Sequence, residues 1–130
     1  MGTGKQVPWM YMQQVLYVGY SFDMQSTADQ LMVKCYDGTA YIVTDVIARH
    51  RSGGASVTCA GGVYDAPSKG GNAVVAAVQS WVTLASGIIV FASMSAALTK
   101  LLTTDLYLSL TTGSTAACRA DIYVVGLDVS

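Results

Sequence analysis

The chain has 130 residues, of which 52% are hydrophobic and only 12% are charged, and its formal net charge at pH 7 is −1. This length fits one compact domain that can bury a core without a metal or a disulfide. The seven basic residues are scattered along the chain, so we expect no nucleic-acid partner.

The apolar composition makes a membrane protein the first alternative to consider. The most apolar run lies between Ala73 and Leu101, but serine, threonine and glutamine side chains and Gly87 interrupt it, so a spanning helix is not expected. Residues 1–14 contain one lysine and no uniform apolar core, which is not the pattern of a signal peptide. We therefore expect no membrane partner and a surface that is largely covered by other protein.

Two further features of the composition bear on the class of protein. All eight acidic residues are aspartates, and because glutamate favours helices whereas aspartate favours caps and turns, a helical protein is disfavoured. The three cysteines, Cys35, Cys59 and Cys118, are widely spaced and lack a C-x-x-C pair. We interpret them as small buried hydrophobic residues in a reducing compartment, without a disulfide or metal role.

In the N-terminal third, residues 1–20 are predicted to form an arm or a first strand, because VLYVGY is typical of a strand and WMYMQQ can extend it. Residues 30–36 and 39–48 alternate with period two and flank Asp37 and Gly38, a strong signal for a β-hairpin with a type I′ turn. Both faces of these strands are apolar, which predicts a second sheet inside and a neighbouring subunit outside.

The middle of the chain continues with short strands and turns. The stretch GGVYDAPSKGGNAVVAA, residues 61–77, is predicted to turn a corner between strands. Its glycines would supply positive φ, and Asp65, Ser68 and Asn72 would satisfy exposed backbone groups. The other predicted strands of this region cover residues 57–64, 72–84 and 88–93, and residues 94–102 are predicted as a helical turn or a loop.

The last predicted element is a hairpin that joins residues 105–112 to residues 119–129, with three leucines of its first arm facing one way. The total is about eight short strands, with turn signals at the spacing of a sandwich or jelly roll. The sequence therefore predicts an all-β protein. Its expected architecture is a β-sandwich of jelly-roll type, with an extended N-terminal arm and a single domain at residues 21–130.

Candidate sites for chemistry are few. SKGG at residues 68–71 and GTGK at residues 2–5 both lack the P-loop arrangement, in which a strand leads through G-x-x-x-x-G-K-[ST] into a helix. His50, the only histidine, has no nucleophile elbow or metal-ligand spacing to support it. Most aspartates fall at turns, and Trp9, Trp81 and the tyrosines are typical of core or interface anchors. We therefore expect no enzyme, no metal and no cofactor.

The C-terminal two-thirds of the chain resembles a class of virion proteins. The resemblance is carried by GGVYDAPSKGGNAVVAAVQSWVTL and by the hairpin DLYLSLTTGSTAACRADIYVVGLDV. In these segments the chain is similar to small decoration, cement and head-associated proteins of tailed bacteriophages. Such proteins are often β-sandwiches or jelly rolls arranged as trimers. The resemblance implies a homotrimer that contacts the major capsid protein on the capsid surface, after assembly in the host cytoplasm.

We therefore expect a structural virion protein, most simply a capsid decoration or cement protein that bridges major capsid subunits. One alternative is a tail, neck or fibre-associated subunit, and another is a carbohydrate- or receptor-binding module. Residues 7–20 are expected to anchor the subunit to its neighbours, since long and aromatic side chains adapt to such contacts. The residues expected at interfaces are Trp9, Met10, Tyr11, Met12, Tyr17, Tyr20, Arg49, His50 and Arg51.

Overall fold

The computed structural model describes residues 12–95 and 100–130. Within these residues the chain forms ten β-strands and no helix, and the strands make two antiparallel sheets that pack together. The predicted all-β sandwich is therefore confirmed, while its jelly-roll connectivity stays a prediction. The strands in chain order are β1 Gln14–Asp23, β2 Gln30–Leu31, β3 Val33–Lys34, β4 Ala40–Gly53, β5 Ala60–Ala66, β6 Gly70–Val75, β7 Ile89–Ala92, β8 Leu101–Leu102, β9 Tyr107–Thr112 and β10 Cys118–Asp128.

The larger sheet has six strands, five of them in the order β3-β1-β10-β4-β7, and β8 also pairs with β4. Its three long strands, β1, β4 and β10, are rich in valine, isoleucine and tyrosine, which fit a pleated and half-buried surface. The inward side chains of these strands fill the core, and Tyr17, Val46, Ile122 and Val124 are at most 1% exposed.

The smaller sheet has four strands in the order β2-β9-β5-β6. Leu106, Leu108 and Leu110 are fully buried, so the predicted apolar side of this segment is confirmed. Trp81 is also fully buried, and its Nε1 donates to the carbonyl oxygen of Gly61 over 3.1 Å. Trp81 is therefore a core anchor, because a buried indole N–H needs an acceptor and here finds one on β5.

The predicted hairpin at Asp37 and Gly38 is wrong. β2 pairs with β9 in the smaller sheet, β3 pairs with β1 in the larger sheet, and β4 pairs with β10, so the two predicted arms do not pair as strands. Neither Asp37 nor Gly38 has the positive φ that a type I′ turn requires. The chain changes sheets at Met32, which is 3% exposed and donates its backbone N–H to the carbonyl of Leu106.

The last two strands form where the sequence predicts them, but they do not pair with each other. β9 lies in the smaller sheet and β10 in the larger one. The chain crosses between the sheets in the intervening segment, where Ser114 N–H donates to Met24 O over 2.7 Å and Thr115 N–H donates to Val57 O over 3.2 Å. The two strands thus face each other across the core as opposite layers of the sandwich.

Residues 61–77 contain a turn between two strands, as predicted. β5 and β6 pair as an antiparallel hairpin, and Ser68 and Lys69 adopt φ values of 57° and 58° in the turn between them. Asp65 accepts hydrogen bonds from the backbone N–H and the side-chain amide of Asn72, over 2.6 and 2.9 Å. Asp65 therefore supports the turn as predicted, whereas Ser68 N–H donates to Asp29 from outside the stretch over 2.8 Å. The positive φ predicted for glycines falls on Ser68 and Lys69 as well as on Gly71.

Two neighbouring predictions need correction or lie partly outside the described residues. The predicted strand at 72–84 ends at Val75 because the chain then turns, with Gln79 N–H donating to Ala76 O over 3.0 Å. The strand predicted at 88–93 is confirmed as β7. The segment predicted at 94–102 is described only at its ends, the second of which is β8.

The segment predicted at residues 1–20 overlaps β1. Trp9, Met10 and Tyr11 lie outside the described residues, whereas from Gln14 onward the chain forms a strand between β3 and β10. The predicted first strand is thus observed from Gln14, and the predicted boundary after Tyr20 falls inside it, while an arm formed by the preceding residues stays a prediction.

Candidate interaction face

The outer face of the larger sheet points away from the core, and a line of apolar side chains crosses it from edge to edge. In the register of the sheet, Val18 lies opposite both Val33 and Tyr123, and Ile47 lies opposite both Tyr123 and Phe91. We call these five residues the apolar row. Since side chains alternate along a strand, most residues that flank them, such as Val46, Ile122 and Val124, point into the core.

The apolar row is open to solvent at both ends. Val33 on β3 is 61% exposed and Phe91 on β7 is 69% exposed. Tyr20 extends the apolar surface, because its ring is 62% exposed and packs edge-on against Tyr123 with centroids 6.4 Å apart. Ile89, on the same side of β7 as Phe91, is 52% exposed. Within the row, Val18 is only 5% exposed and Tyr123 and Ile47 are half-buried, so the open apolar surface lies mainly at the two ends. Exposed apolar side chains grouped on one face mark an interaction site more often than a free surface.

One side of the apolar row is basic. Arg49 lies two residues beyond Ile47 on β4, opposite Asp121 on β10. The Asp121 carboxylate is 1% exposed, accepts two hydrogen bonds from Arg51 Nη1 at 3.1 and 3.2 Å, and accepts the backbone N–H of Ser21 at 2.9 Å. Arg49 lies 3.9 Å from the same carboxylate. With two guanidinium groups for one carboxylate, this side keeps a net positive charge.

The other side of the apolar row is acidic. Asp45 lies two residues before Ile47 on β4 and opposite Val125 on β10. Gln13 donates to the Asp45 carboxylate and to the Thr44 hydroxyl, both over 2.6 Å. An amide partner leaves the carboxylate charge in place, so this side keeps a negative charge.

A cleft of about 500 Å³ lies at the basic side of the face. It forms where the end of β4 meets the turn that leads into β7. His50 places Nε2 3.0 Å from Gly54 O and Arg51 is occupied by Asp121, so the described residues offer Arg49, 63% exposed, as the more open cation. The residues that line the cleft are Arg49, His50, Arg51, Ser52, Gly53, Ser86, Gly87, Ile88 and Ile89.

The residues predicted at interfaces separate into three groups. Tyr20, Arg49, His50 and Arg51 belong to the outer face and its cleft, and Met12, 58% exposed, lies just before β1. Trp9, Met10 and Tyr11 lie outside the described residues. Tyr17, by contrast, lies in the core, which corrects its predicted place at an interface.

Tyr17 is 1% exposed and packs edge-on against Tyr36 and Tyr41 inside the core. Its hydroxyl donates to the carbonyl of Thr104 over 2.6 Å. Burial raises the pKa of the Tyr17 hydroxyl well above its ordinary value, and the nearby Tyr41 and Tyr36 hydroxyls add to the effect. Tyr17 therefore stabilises the subunit from within and is not available to a partner.

Sequence reasoning missed Val33, Val18, Tyr123, Ile47 and Phe91 as members of one surface. The available signal was the apolar character of both faces of the predicted strands, which indicated outer coverage. That signal could not align the five residues, because their alignment depends on pairing between strands that are distant in the sequence.

The smaller sheet brings together a serine, a lysine and an aspartate, a combination that invites a catalytic interpretation. Lys69 Nζ donates to Ser109 Oγ over 2.9 Å, and Ser109 Oγ donates to Asp29 over 2.8 Å. Ser109 is fully buried, so a substrate cannot reach its hydroxyl. The serine thus bridges a lysine and a carboxylate, and the geometry favours a structural role over nucleophilic catalysis.

The cysteines follow their prediction in part. Cys59 and Cys118 are buried free thiols, whereas Cys35 is exposed, which corrects its predicted burial. Desolvation, with a smaller contribution from Cys118, raises the pKa of Cys59 to about 12. A thiol with this pKa stays protonated at neutral pH and is a weak nucleophile. Among the described residues, no group of three histidine, cysteine or acidic side chains is placed to hold a metal.

No family description matches the chain, and neither a curated protein nor a solved structure is significantly similar to it. Within the described residues, no helix is both long enough and apolar enough to cross a membrane.

Proposed function

We propose that the chain is a structural subunit of a bacteriophage virion, a decoration or cement protein that binds the major capsid protein and itself. The observation that carries the structural role is the apolar row, which crosses a whole sheet face and ends in Val33 and Phe91, both more than half exposed. The virion context comes from the resemblance of the C-terminal two-thirds to head proteins of tailed phages, for which the jelly roll and the trimer are the finer expectations.

The mechanism of such a subunit is burial of surface. Obligate interfaces are more hydrophobic than ordinary protein surface, and a subunit that covers its apolar face with neighbouring protein gains association free energy from that burial. A subunit that bridges two capsid proteins would resist their separation when the packaged DNA pushes outward. No reacting group is required, and the polar clusters around the face would then serve to orient the partners.

The proposal is tested by locating the protein in virus particles purified from the host that carries the gene. Gold-labelled antibody and mass spectrometry of the particle should show many copies distributed over the head. A low copy number at the portal, neck or tail would replace the decoration role with the tail-associated alternative. Absence from the particle would contradict the virion assignment, and binding to a host polysaccharide would then support the receptor-binding alternative.

The anchoring role of the N-terminal segment has its own test. Deletion of residues 1–12 leaves β1 intact, because this strand begins at Gln14. We expect the truncated protein to melt like the full chain and to lose binding to particles. Undiminished particle binding would show that the segment is not the anchor.

A further inference from the structure

We infer that the outer face of the larger sheet binds a second copy of this chain face to face, with a two-fold axis that runs along the apolar row. This inference deepens the self-association that the proposed function includes, and it rests on the proposal that protein covers this face. It specifies which surface is used, how the two copies are oriented and which residues meet.

The shape of the apolar surface fits a second sheet. Four inter-strand spacings of about 4.8 Å make the row roughly 20 Å long, and it crosses the sheet at a right angle to the strands. A strip across the full width of a sheet buries more completely against another sheet than against a narrow helix or a peptide. Two sheets pack face to face with their strands nearly aligned, about 10 Å apart.

The charges on either side of the apolar row decide the orientation of the second copy. On β4, Asp45 and Arg49 lie at equal distances on either side of Ile47. A two-fold axis along the apolar row reverses the strand direction of the second copy. Asp45 of each copy then faces Arg49 of the other, and the two Ile47 side chains meet on the axis.

The alternative two-fold axis, parallel to the strands, gives an unfavourable pairing. It places the basic side of one copy against the basic side of the other, where Arg49 and Arg51 outnumber Asp121. It likewise places Asp45 on the same side as Asp45 of the second copy. Like charges in contact across an interface cost several kcal/mol, so the axis along the row is the favoured one.

The geometry also limits the oligomeric state. A two-fold contact is isologous, since each copy contributes the same surface. Such a contact produces a dimer, or it joins two larger rings into an assembly with an even number of subunits. A free homotrimer cannot contain this two-fold contact, so the inference and the trimer implied by the resemblance make different predictions for the isolated protein.

The first experiment measures the mass of the full-length chain by light scattering at several concentrations, with single and double charge reversals. Arg49→Asp and Asp45→Arg should each weaken association about tenfold or more, because each places like charges opposite one another. The double variant R49D/D45R should restore association, since the opposite charges meet again with their positions exchanged. Asp105→Arg is the matched control, because it makes the same charge change as D45R at an exposed residue just before β9.

The second experiment tests the contact at the axis. In a Cys35→Ser background, which removes the exposed native thiol, Ile47→Cys should give a cross-linked dimer with a short bismaleimide. Val78→Cys, placed at an 87% exposed residue between β6 and β7, is the control that should remain uncross-linked. A variant that fails to fold would be recognised by its melting curve, and the charge reversals then provide the test.

Several outcomes would overturn the inference. These are a monomer or a trimer at all concentrations, a double variant that associates no better than the single ones, or equal cross-linking at positions 47 and 78. None of these results depends on the virus particle. If the copies do not pair in this way, the location of the protein in the virion can still be tested. If the protein is absent from the virion, the pairing of copies can still be measured on the isolated chain.

Discussion

The outer faces of the two sheets differ in how much of their surface the chain itself covers. On the smaller sheet, the chain covers its own surface: Lys69 from the β5–β6 turn reaches Ser109 on β9, and Asp29 closes the group from the loop before β2. Ser109 is fully buried as a result. On the larger sheet, both ends of the apolar row stay open to solvent, with Val33 61% and Phe91 69% exposed.

This difference separates stability from assembly. Polar side chains buried by the chain itself are satisfied within the subunit and contribute to its folding. Apolar side chains left at the surface contribute little to the fold and gain free energy only when another protein covers them. Changes on the smaller sheet should therefore move the melting temperature, whereas changes at the exposed ends of the apolar row, Val33 and Phe91, should move the dissociation constant.

The largest expected effect is on association. Phe91→Ser removes two exposed rings from the two-fold contact, one from each copy. Each ring contributes about 1.5 kcal/mol of association free energy through its burial. The dimer should then weaken about a hundredfold, since 1.4 kcal/mol corresponds to a factor of ten. Sedimentation velocity measures this change, and Val78→Ser is the control at an exposed position between β6 and β7. Equal weakening by both variants would contradict the special role of the row.

Asp121→Ala should destabilise the subunit by about 2 kcal/mol, because it leaves Arg51 without its carboxylate and Ser21 N–H without its acceptor. The effect stays below that of a fully buried pair, since the Arg51 side chain is 49% exposed. Urea unfolding measures it. Asp121→Asn keeps an oxygen for Ser21, so a loss as large as that of the alanine variant would argue against this hydrogen bond.

Ser109→Ala should cost about 1 kcal/mol, because Lys69 and Asp29 lose the hydroxyl that joins them. Its effect on association should be absent, since the residue lies on the smaller sheet. Thermal unfolding and sedimentation of the same sample test both statements together. A change in dissociation constant without a change in melting temperature would reverse the roles assigned to the two faces.

The smallest effect concerns acid stability. Hydrogen bonds from Ser68 N–H and from Ser109 hold the pKa of Asp29 below its ordinary value, with help from the charge of Lys69. The unfolded chain therefore binds the proton more tightly, and the contribution of Asp29 is present above pH 3.8 and is lost as the pH falls through the folded pKa. Because Asp29 is exposed, the contribution stays below about 1 kcal/mol. Asp29→Asn should flatten the pH profile of unfolding in this range.

Local patterns predicted the strand content of the chain and several of its residues. The buried face of Leu106, Leu108 and Leu110 follows from period two, and the hydrogen bonds of Asp65 follow from turn chemistry. Trp81 was expected as a core or interface anchor, and only the structure places it in the core. The failures concern partners. A strand pattern specifies which face of a segment is apolar, but residues 30–36 leave one sheet and enter the other at Met32, which no local signal marks.

The sequence by itself determined that the protein is all-β, that its strands are apolar on both faces and that charge is sparse, because these properties depend on composition and short-range alternation. Only the tertiary structure decided which strands pair, and hence that five residues from five strands make one row between a basic and an acidic side. The physical reason is that register and sheet membership are fixed by packing between segments distant in sequence, such as β1, β4 and β10. Tyr17 is an example: the sequence shows that it is an aromatic residue, but only the packing of the surrounding strands places it in the core.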